Sequence, residues 1–227
     1  MSNVANFISA RTRVHASRLE GSRALREAIG LRVNQLLALV LLVVLAPMLL
    51  IVMALVWRAD GTPILFSHYR VGKDGRLFRC LKFRSMRRDA DEALAELLER
   101  DPDAATQWRR DHKLSHDPRV TAVGDFLRRT SLDELPQLLN VLRGDMRLVG
   151  PRPVTVAELD RYGSSRWHYV SVEPGMTGLW QVSGRNDTSY DERVALDRRY
   201  IENPSMVADM AILLRTVKVV LFREGAR

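Results

Sequence analysis

The run LLALVLLVVLAPMLLIVMALVW, residues 36–57, decides how the rest of the chain is organised. It holds no charged residue, and a helix of that length can cross roughly 30 Å of bilayer hydrocarbon. A single transmembrane helix is the plain reading, but two features oppose it. Pro47 stands in the middle, where it removes one helical hydrogen bond and crowds the preceding turn. Cations flank both ends: Arg26 and Arg32 before the run, and Arg58, Arg70, Lys73 and Arg76 after it. Cationic flanks favour the cytoplasmic side, so both ends ask for the same side. A helix broken at Ala46-Pro47 satisfies that demand by entering and returning. Each half is about eleven residues, or about 16 Å, too short to span. The pattern predicts a re-entrant anchor over residues 33–58, broken at Pro47.

Upstream, residues 1–32 form a basic arm with Arg11, Arg13, Arg18, Arg23, Arg26 and Arg32. The order is not that of a signal peptide: the basic part is too long, and no small-residue cleavage site follows the apolar run. The arm reads as partly disordered or loosely helical, with arginines suited to anionic headgroups. Downstream, residues 59–227 read as one cytoplasmic domain. Two short β-type runs, 64–71 and 77–83, flank Gly72-Lys73-Asp74-Gly75, which is turn material, so a hairpin is expected. Alternation along its second strand would put Lys82 and Arg84 on one face, as a solvated edge or a phosphate-gripping pair. Helices are expected over 89–100, 108–114, 125–129, 190–200 and 205–222. The last carries an apolar stripe of Met206, Met210, Leu213, Val217 and Leu221, fit either for a core or for the membrane interface. The fold class is α+β: an N-terminal re-entrant membrane helix hairpin, then a small, mostly helical domain with a β-hairpin and interfacial amphipathic helices.

The chemistry concentrates in Arg128-Arg129-Thr130-Ser131-Leu132-Asp133-Glu134-Leu135-Pro136-Gln137-Leu138-Leu139-Asn140. Ser131 with Glu134 three residues on reads as a capping box, and leucines recur beyond it at helical spacing. Asp133 and Glu134 are then expected in a first helical turn, near free N–H groups and the positive dipole end. Capping alone would explain both acids. Two Gly/Pro-dense loops follow. Gly150-Pro151-Arg152-Pro153 would hold Arg152 on a stiff backbone, suited to gripping an anion. The loop from Pro174 to Asn186 contains Gly175, Gly178 and Gly184, which would let backbone approach a ligand closely. Neither loop is a P-loop or a dinucleotide fingerprint.

Composition narrows the partners. Basic residues number 35 against 27 acids, a net charge of +8, and only four of the 35 are lysine. Such a balance suggests nucleic acid, anionic lipid or a phosphate-rich substrate. A nucleic-acid binder would need aromatics interleaved on a basic face, and aromatics are sparse. The single cysteine, Cys80, excludes an internal disulfide and a cysteine-rich metal site. His112 and His116 have no ligand company and read as surface residues.

Taken together, these motifs resemble the bacterial polyprenyl-phosphate glycosyl-1-phosphate transferases, monotopic sugar transferases that begin exopolysaccharide and O-antigen assembly. The resemblance rests on the proline-interrupted anchor, Lys82-Phe83-Arg84-Ser85-Met86, Ser131-Leu132-Asp133-Glu134-Leu135-Pro136-Gln137, Gly144-Asp145-Met146, Gly150-Pro151-Arg152-Pro153, and the stretch from Gly175-Met176-Thr177-Gly178 to Gly184-Arg185. It runs over about residues 30–222 in the same order and matches only the catalytic unit of larger relatives. It implies a phosphoglycosyl transferase domain over 59–227, at the bacterial cytoplasmic membrane. Asp133 would attack the sugar-linked phosphorus of a UDP-hexose, releasing UMP and leaving a covalent phosphosugar. Undecaprenyl or another polyprenyl phosphate would then collect it. A carboxylate is a competent nucleophile at phosphorus. Glu134 would bind Mg²⁺, and Lys82, Arg84, Arg128, Arg152 and Arg185 would neutralise phosphates. Gln181 to Arg193 is more similar to the galactose branch than to the glucose branch, with Asn186 a candidate sugar contact. UDP-glucose as donor, or a non-catalytic basic scaffold, are the alternatives. Oligomeric state is left open.

Overall fold

A computed structural model describes residues 2–111, 114, 117–184 and 188–222. The first element, α1 (Ser2–Asp60), is one helix of 59 residues with Pro47 inside it. The expected arm and anchor are therefore continuous, and the helix does not divide at Pro47. A proline removes only one helical bond, and here both flanks are held. Asn34 Oδ1 accepts from the Leu148 amide at 2.8 Å, and Gln35 Nε2 donates to the Leu142 carbonyl at 3.0 Å. Ala38, Leu42 and Leu45 pack with Phe78, Leu138, Val141, Met146 and Ile212. Beyond the proline, Leu49, Val52 and Val56 pack with Phe83 and Leu127. These positions recur every three or four residues, so one stripe of the helix between Ala38 and Val56 is domain core. The other faces stay apolar and uncovered, with Val43 67% and Val44 68% exposed. Glu27–Asp60 is long and apolar enough to cross a membrane, yet it lies along the domain on both sides of Pro47.

The expected hairpin is present. β1 (Leu65–Val71) and β2 (Leu77–Phe83) pair antiparallel, with Leu65 opposite Phe83 and Val71 opposite Leu77. Asp74 (φ 57°) and Gly75 (φ 74°) turn the chain between them. Helices α2 (Ala90–Arg100) and α3 (Pro102–Asp111) follow, Asp101 Oδ1 capping the second. His112 and His116 lie outside the described residues. Next come α4 (Ala122–Thr130), capped by Thr121, and α5 (Gln137–Arg143). β3 (Arg147–Val149) pairs parallel with β4 (Gly175–Thr177), across the short helices α6 (Val156–Asp160) and α7 (Arg166–Val170). Two of the glycines expected to admit a ligand, Gly175 and Gly178, instead admit Gly150. A Cβ on Gly175 would lie 2.0 Å from the Gly150 nitrogen, and one on Gly178 would lie 2.2 Å from the Gly150 carbonyl oxygen.

Helices α8 (Tyr190–Glu202) and α9 (Met206–Phe222) close the chain. Ile212 and Val219 face inward on α9, while Met206 (86%), Met210 (57%) and Val217 (57%) from the expected stripe point outward. Both faces of α9 are apolar, so the sequence period could not choose between them.

A third cluster joins Val71, Val154, Tyr162 and Tyr169. Beneath it Asp197, 1% exposed, accepts a 2.8 Å hydrogen bond from the Tyr162 hydroxyl through Oδ2. Its Oδ1 has no hydrogen-bond partner among the described residues. Burial pushes the Asp197 carboxyl up to about 7, against the Tyr162 hydrogen bond and the charge of Arg152. The folded state then holds a proton that the unfolded state releases near pH 4. Stability should fall as pH rises from about 4 to about 7. Asp197→Asn should flatten that slope in denaturant titrations at several pH values; an unchanged slope would assign it to another group.

Candidate active site

Helix α4 ends at Ser131, which takes a left-handed conformation (φ 56°, ψ 16°). The Ser131 amide is spent on the Arg128 carbonyl, 3.2 Å away. The expected capping box is therefore not made: Ser131 ends one helix rather than starting the next. A single 3₁₀ turn, Leu132–Glu134, follows, and Pro136 precedes α5. Asp133 and Glu134 thus sit on a tight connector, not in the first turn of α5.

Freed from capping, Glu134 reaches across to β2. Its Oε1 lies 2.6 Å from Lys82 Nζ, which is also 3.7 Å from Asp133 Oδ2. Arg152 Nη1 approaches the same Glu134 oxygen at 3.8 Å. Asp133 is buried, and burial pushes its carboxyl above the ordinary range; Glu134 adds to that push, while Lys82, Arg128 and Arg152 oppose it. The structure therefore brings Lys82, Asp133, Glu134 and Arg152 together. Arg128 stands near them, its Nε donating to Ser85 Oγ at 2.9 Å.

Arg84 departs from the expected pair with Lys82. Its Nη2 donates to the carbonyls of Asp60 and Gly61, both at 2.8 Å, and pairs with the Asp60 carboxylate at 3.1 Å. It serves the carbonyl end of α1, where a cation is favoured. β2 ends at Phe83, so strand alternation no longer governs residue 84. Arg185 and Asn186 lie outside the described residues.

Two contributors were not singled out by pattern. Asn140, fully buried, accepts from the Leu81 amide at 3.0 Å and donates to the Arg79 carbonyl at 2.8 Å and to Asp145 Oδ2 at 3.0 Å. It locks α5 to β2 and so holds Lys82 opposite the acids. Trp180 carries the guanidinium of Arg152 at 5.9 Å and that of Arg193 at 4.7 Å from its ring centre. Such stacking orients a planar cation. An asparagine on an otherwise apolar helix face was the one available signal.

Among the described residues no cluster of three or more His, Cys, Asp or Glu is placed to hold a metal. Two adjacent carboxylates suit instead a hard cation that keeps several waters and takes its other ligands from a phosphate, as Mg²⁺ does. The assembly offers a buried carboxylate, a second acid beside it and the nearby cations Lys82, Arg128 and Arg152. Such a site can receive a polyanion and present it with a nucleophile.

Residues 26–223 match the family described as bacterial sugar transferase. The chain is 53% identical to undecaprenyl-phosphate galactose phosphotransferase of Salmonella typhimurium, over 83% of this chain and 40% of that one. It is 49% identical to exopolysaccharide production protein ExoY of Rhizobium meliloti, over 84% of each. It is 40% identical to UDP-glucose:undecaprenyl-phosphate glucose-1-phosphate transferase of Caulobacter vibrioides, over 88% of this chain and 74% of that one. The aligned stretch spans about two-fifths of the length of the Salmonella relative.

Proposed function

The chain belongs to the bacterial sugar transferase family, and from that premise we propose that it moves a hexose-1-phosphate from a UDP-hexose to a polyprenyl phosphate such as undecaprenyl phosphate. The observation that carries this reading is Lys82 between Asp133 and Glu134, with Arg152 beside them. An Asp133 carboxylate oxygen bonds to the sugar-linked phosphorus, the phosphoanhydride bond breaks, and UMP leaves. A phosphate oxygen of the lipid then attacks the same phosphorus and the Asp133–phosphorus bond breaks, giving the polyprenyl-diphosphate-hexose and restoring the carboxylate. Lys82, Arg128 and Arg152 compensate the charge of the diphosphate, and burial of Asp133 keeps water from the acyl phosphate. Arg84 acts at one remove, by holding the end of α1. Bound Mg²⁺, held by Glu134, would supply further neutralisation of the substrate's oxygens.

Galactose is the proposed sugar. Two relatives above 50% identity carry galactose in their names, and the glucose-named one stands at 40%. Packing of the domain on both sides of Pro47 in an unbroken α1 supports an anchor that lies along one face of the cytoplasmic membrane without crossing it, and its cationic flanks favour the cytoplasmic side. Cysteines placed at Ser9 and Ser205 should label from the same face; labelling from opposite faces would restore a plain span.

The reaction is tested with the detergent-purified full chain, a polyprenyl phosphate, and UDP-galactose or UDP-glucose. UMP release and a lipid-linked hexose are expected, faster with UDP-galactose. Preference for UDP-glucose would overturn the sugar, and absence of UMP with every UDP-hexose would overturn the reaction.

A further inference from the structure

The acid pair already has a cation of its own. Lys82 Nζ stands 2.6 Å from Glu134 Oε1 and 3.7 Å from Asp133 Oδ2. On Glu134 it occupies the approach that a Mg²⁺ ion would need at about 2.0–2.1 Å. We propose that Lys82 is an exchangeable counter-ion: it compensates the acid pair and withdraws to the substrate's phosphates when a divalent cation takes its place. The inference rests on the reading of Asp133 and Glu134 as the site that receives diphosphate and cation.

Three observations separate Lys82 from the fixed cations around it. Arg84 is held at an 8% exposed side chain by two carbonyls and a carboxylate, so it cannot leave. Arg152 stacks on Trp180 and meets Glu134 only at 3.8 Å. Lys82 has a 28% exposed side chain, and every contact described for its ammonium is with one of the two acids. Its flexible four-carbon stem can move that charge by several ångströms without disturbing the strand. Buried neighbouring carboxylates also need a cation nearby at all times. An ammonium 2.6 Å from a carboxylate oxygen and a divalent cation at about 2.0–2.1 Å from the same oxygen repel each other strongly, so they compete.

The consequence is a coupling. A divalent cation binds the empty site weakly, because Lys82 must first be displaced into water. Once a nucleotide diphosphate is present, the displaced ammonium has a phosphate to go to, and cation and nucleotide strengthen each other equally. The site therefore assembles its metal on its substrate and does not stay loaded beforehand.

Mn²⁺ binding to the full chain in detergent, read by electron paramagnetic resonance of the free ion, tests this without turnover. Without nucleotide, Lys82→Met should bind Mn²⁺ about ten-fold more tightly than wild type, while Lys82→Arg, which keeps the charge, should stay weak. UDP should tighten Mn²⁺ binding to wild type markedly and to Lys82→Met little. Equal or weaker binding by a folded Lys82→Met, beside measurable binding by wild type, would overturn the exchange alone. No Mn²⁺ binding by any of the three, with or without UDP, would overturn both the exchange and the cation role of Glu134.

Discussion

Asp133→Asn should lower UMP release by about 10⁴-fold or more, the scale seen when a nucleophile is removed from an otherwise intact site. The amide matches the carboxylate in size, so the buried position remains filled and Lys82 keeps its 2.6 Å contact with Glu134. What is lost is the ability to form and carry an acyl phosphate. Wild type incubated with UDP-galactose alone should gain the mass of a hexose phosphate on the intact protein and release UMP before any lipid is added. The variant should show neither, while its circular dichroism and melting stay close to those of wild type. Burial that disfavours a charged carboxyl at this position carries no such penalty for an amide, so loss of activity by unfolding is not expected. An adduct that persists in Asp133→Asn, or UMP that appears only when lipid is present, would end the covalent scheme. Glu134→Gln should also be severely impaired, but through cation binding.

Gly175→Ala should be the most damaging small substitution for folding. The new methyl would stand 2.0 Å from the Gly150 nitrogen and 2.5 Å from its Cα. Both are backbone, and neither can step aside. The Gly150 amide donates to the Thr177 carbonyl at 2.9 Å, and the Gly175 amide donates to the Pro151 carbonyl at 2.8 Å. Relief of the clash must break that pairing, at a cost of about 3 kcal/mol or more. Gly163→Ala is the control: its φ is 53°, but a Cβ there meets nothing within 4 Å. That variant should lose about 1 kcal/mol, from backbone conformation alone. Denaturant unfolding of both in the same detergent gives the comparison, and equal losses would show that the close approach does not matter. Because the β3–β4 pairing carries Pro151 into Arg152, Gly175→Ala should also lower activity in whatever fraction stays folded.

The sequence made some of this legible and left the rest hidden, for reasons particular to the residues. The hairpin was readable because its two runs are short, β-rich and joined by glycine. The acid pair and Arg152 were readable because charge on stiff or apolar backgrounds is conspicuous. The capping box misled because a serine between two closely spaced helices can end the first or begin the second. Only the bond made by its amide decides. Arg84 misled because alternation was carried one residue past the strand's end. Pro47 hides the continuity of α1, because its local cost is visible in the sequence while the packing at Leu45 and Leu49 that holds the helix on either side is not. Gly150, Gly175 and Gly178 could not be told apart from ligand-binding glycines, since their partners are each other across about 25 residues of chain.

The stripe of α1 that packs as core has a consequence for biogenesis. Ala38, Val52 and Val56 are as buried as Leu138 or Leu127, so the segment long and apolar enough to cross a membrane also completes the globule. No protease cut between residue 60 and the hairpin could release an intact water-soluble enzyme, because the fragment would leave with Val141, Met146 and Phe83 uncovered. Placement of the first helix and closure of the core are then a single event: a chain whose first helix is drawn away from the domain loses the core it completes.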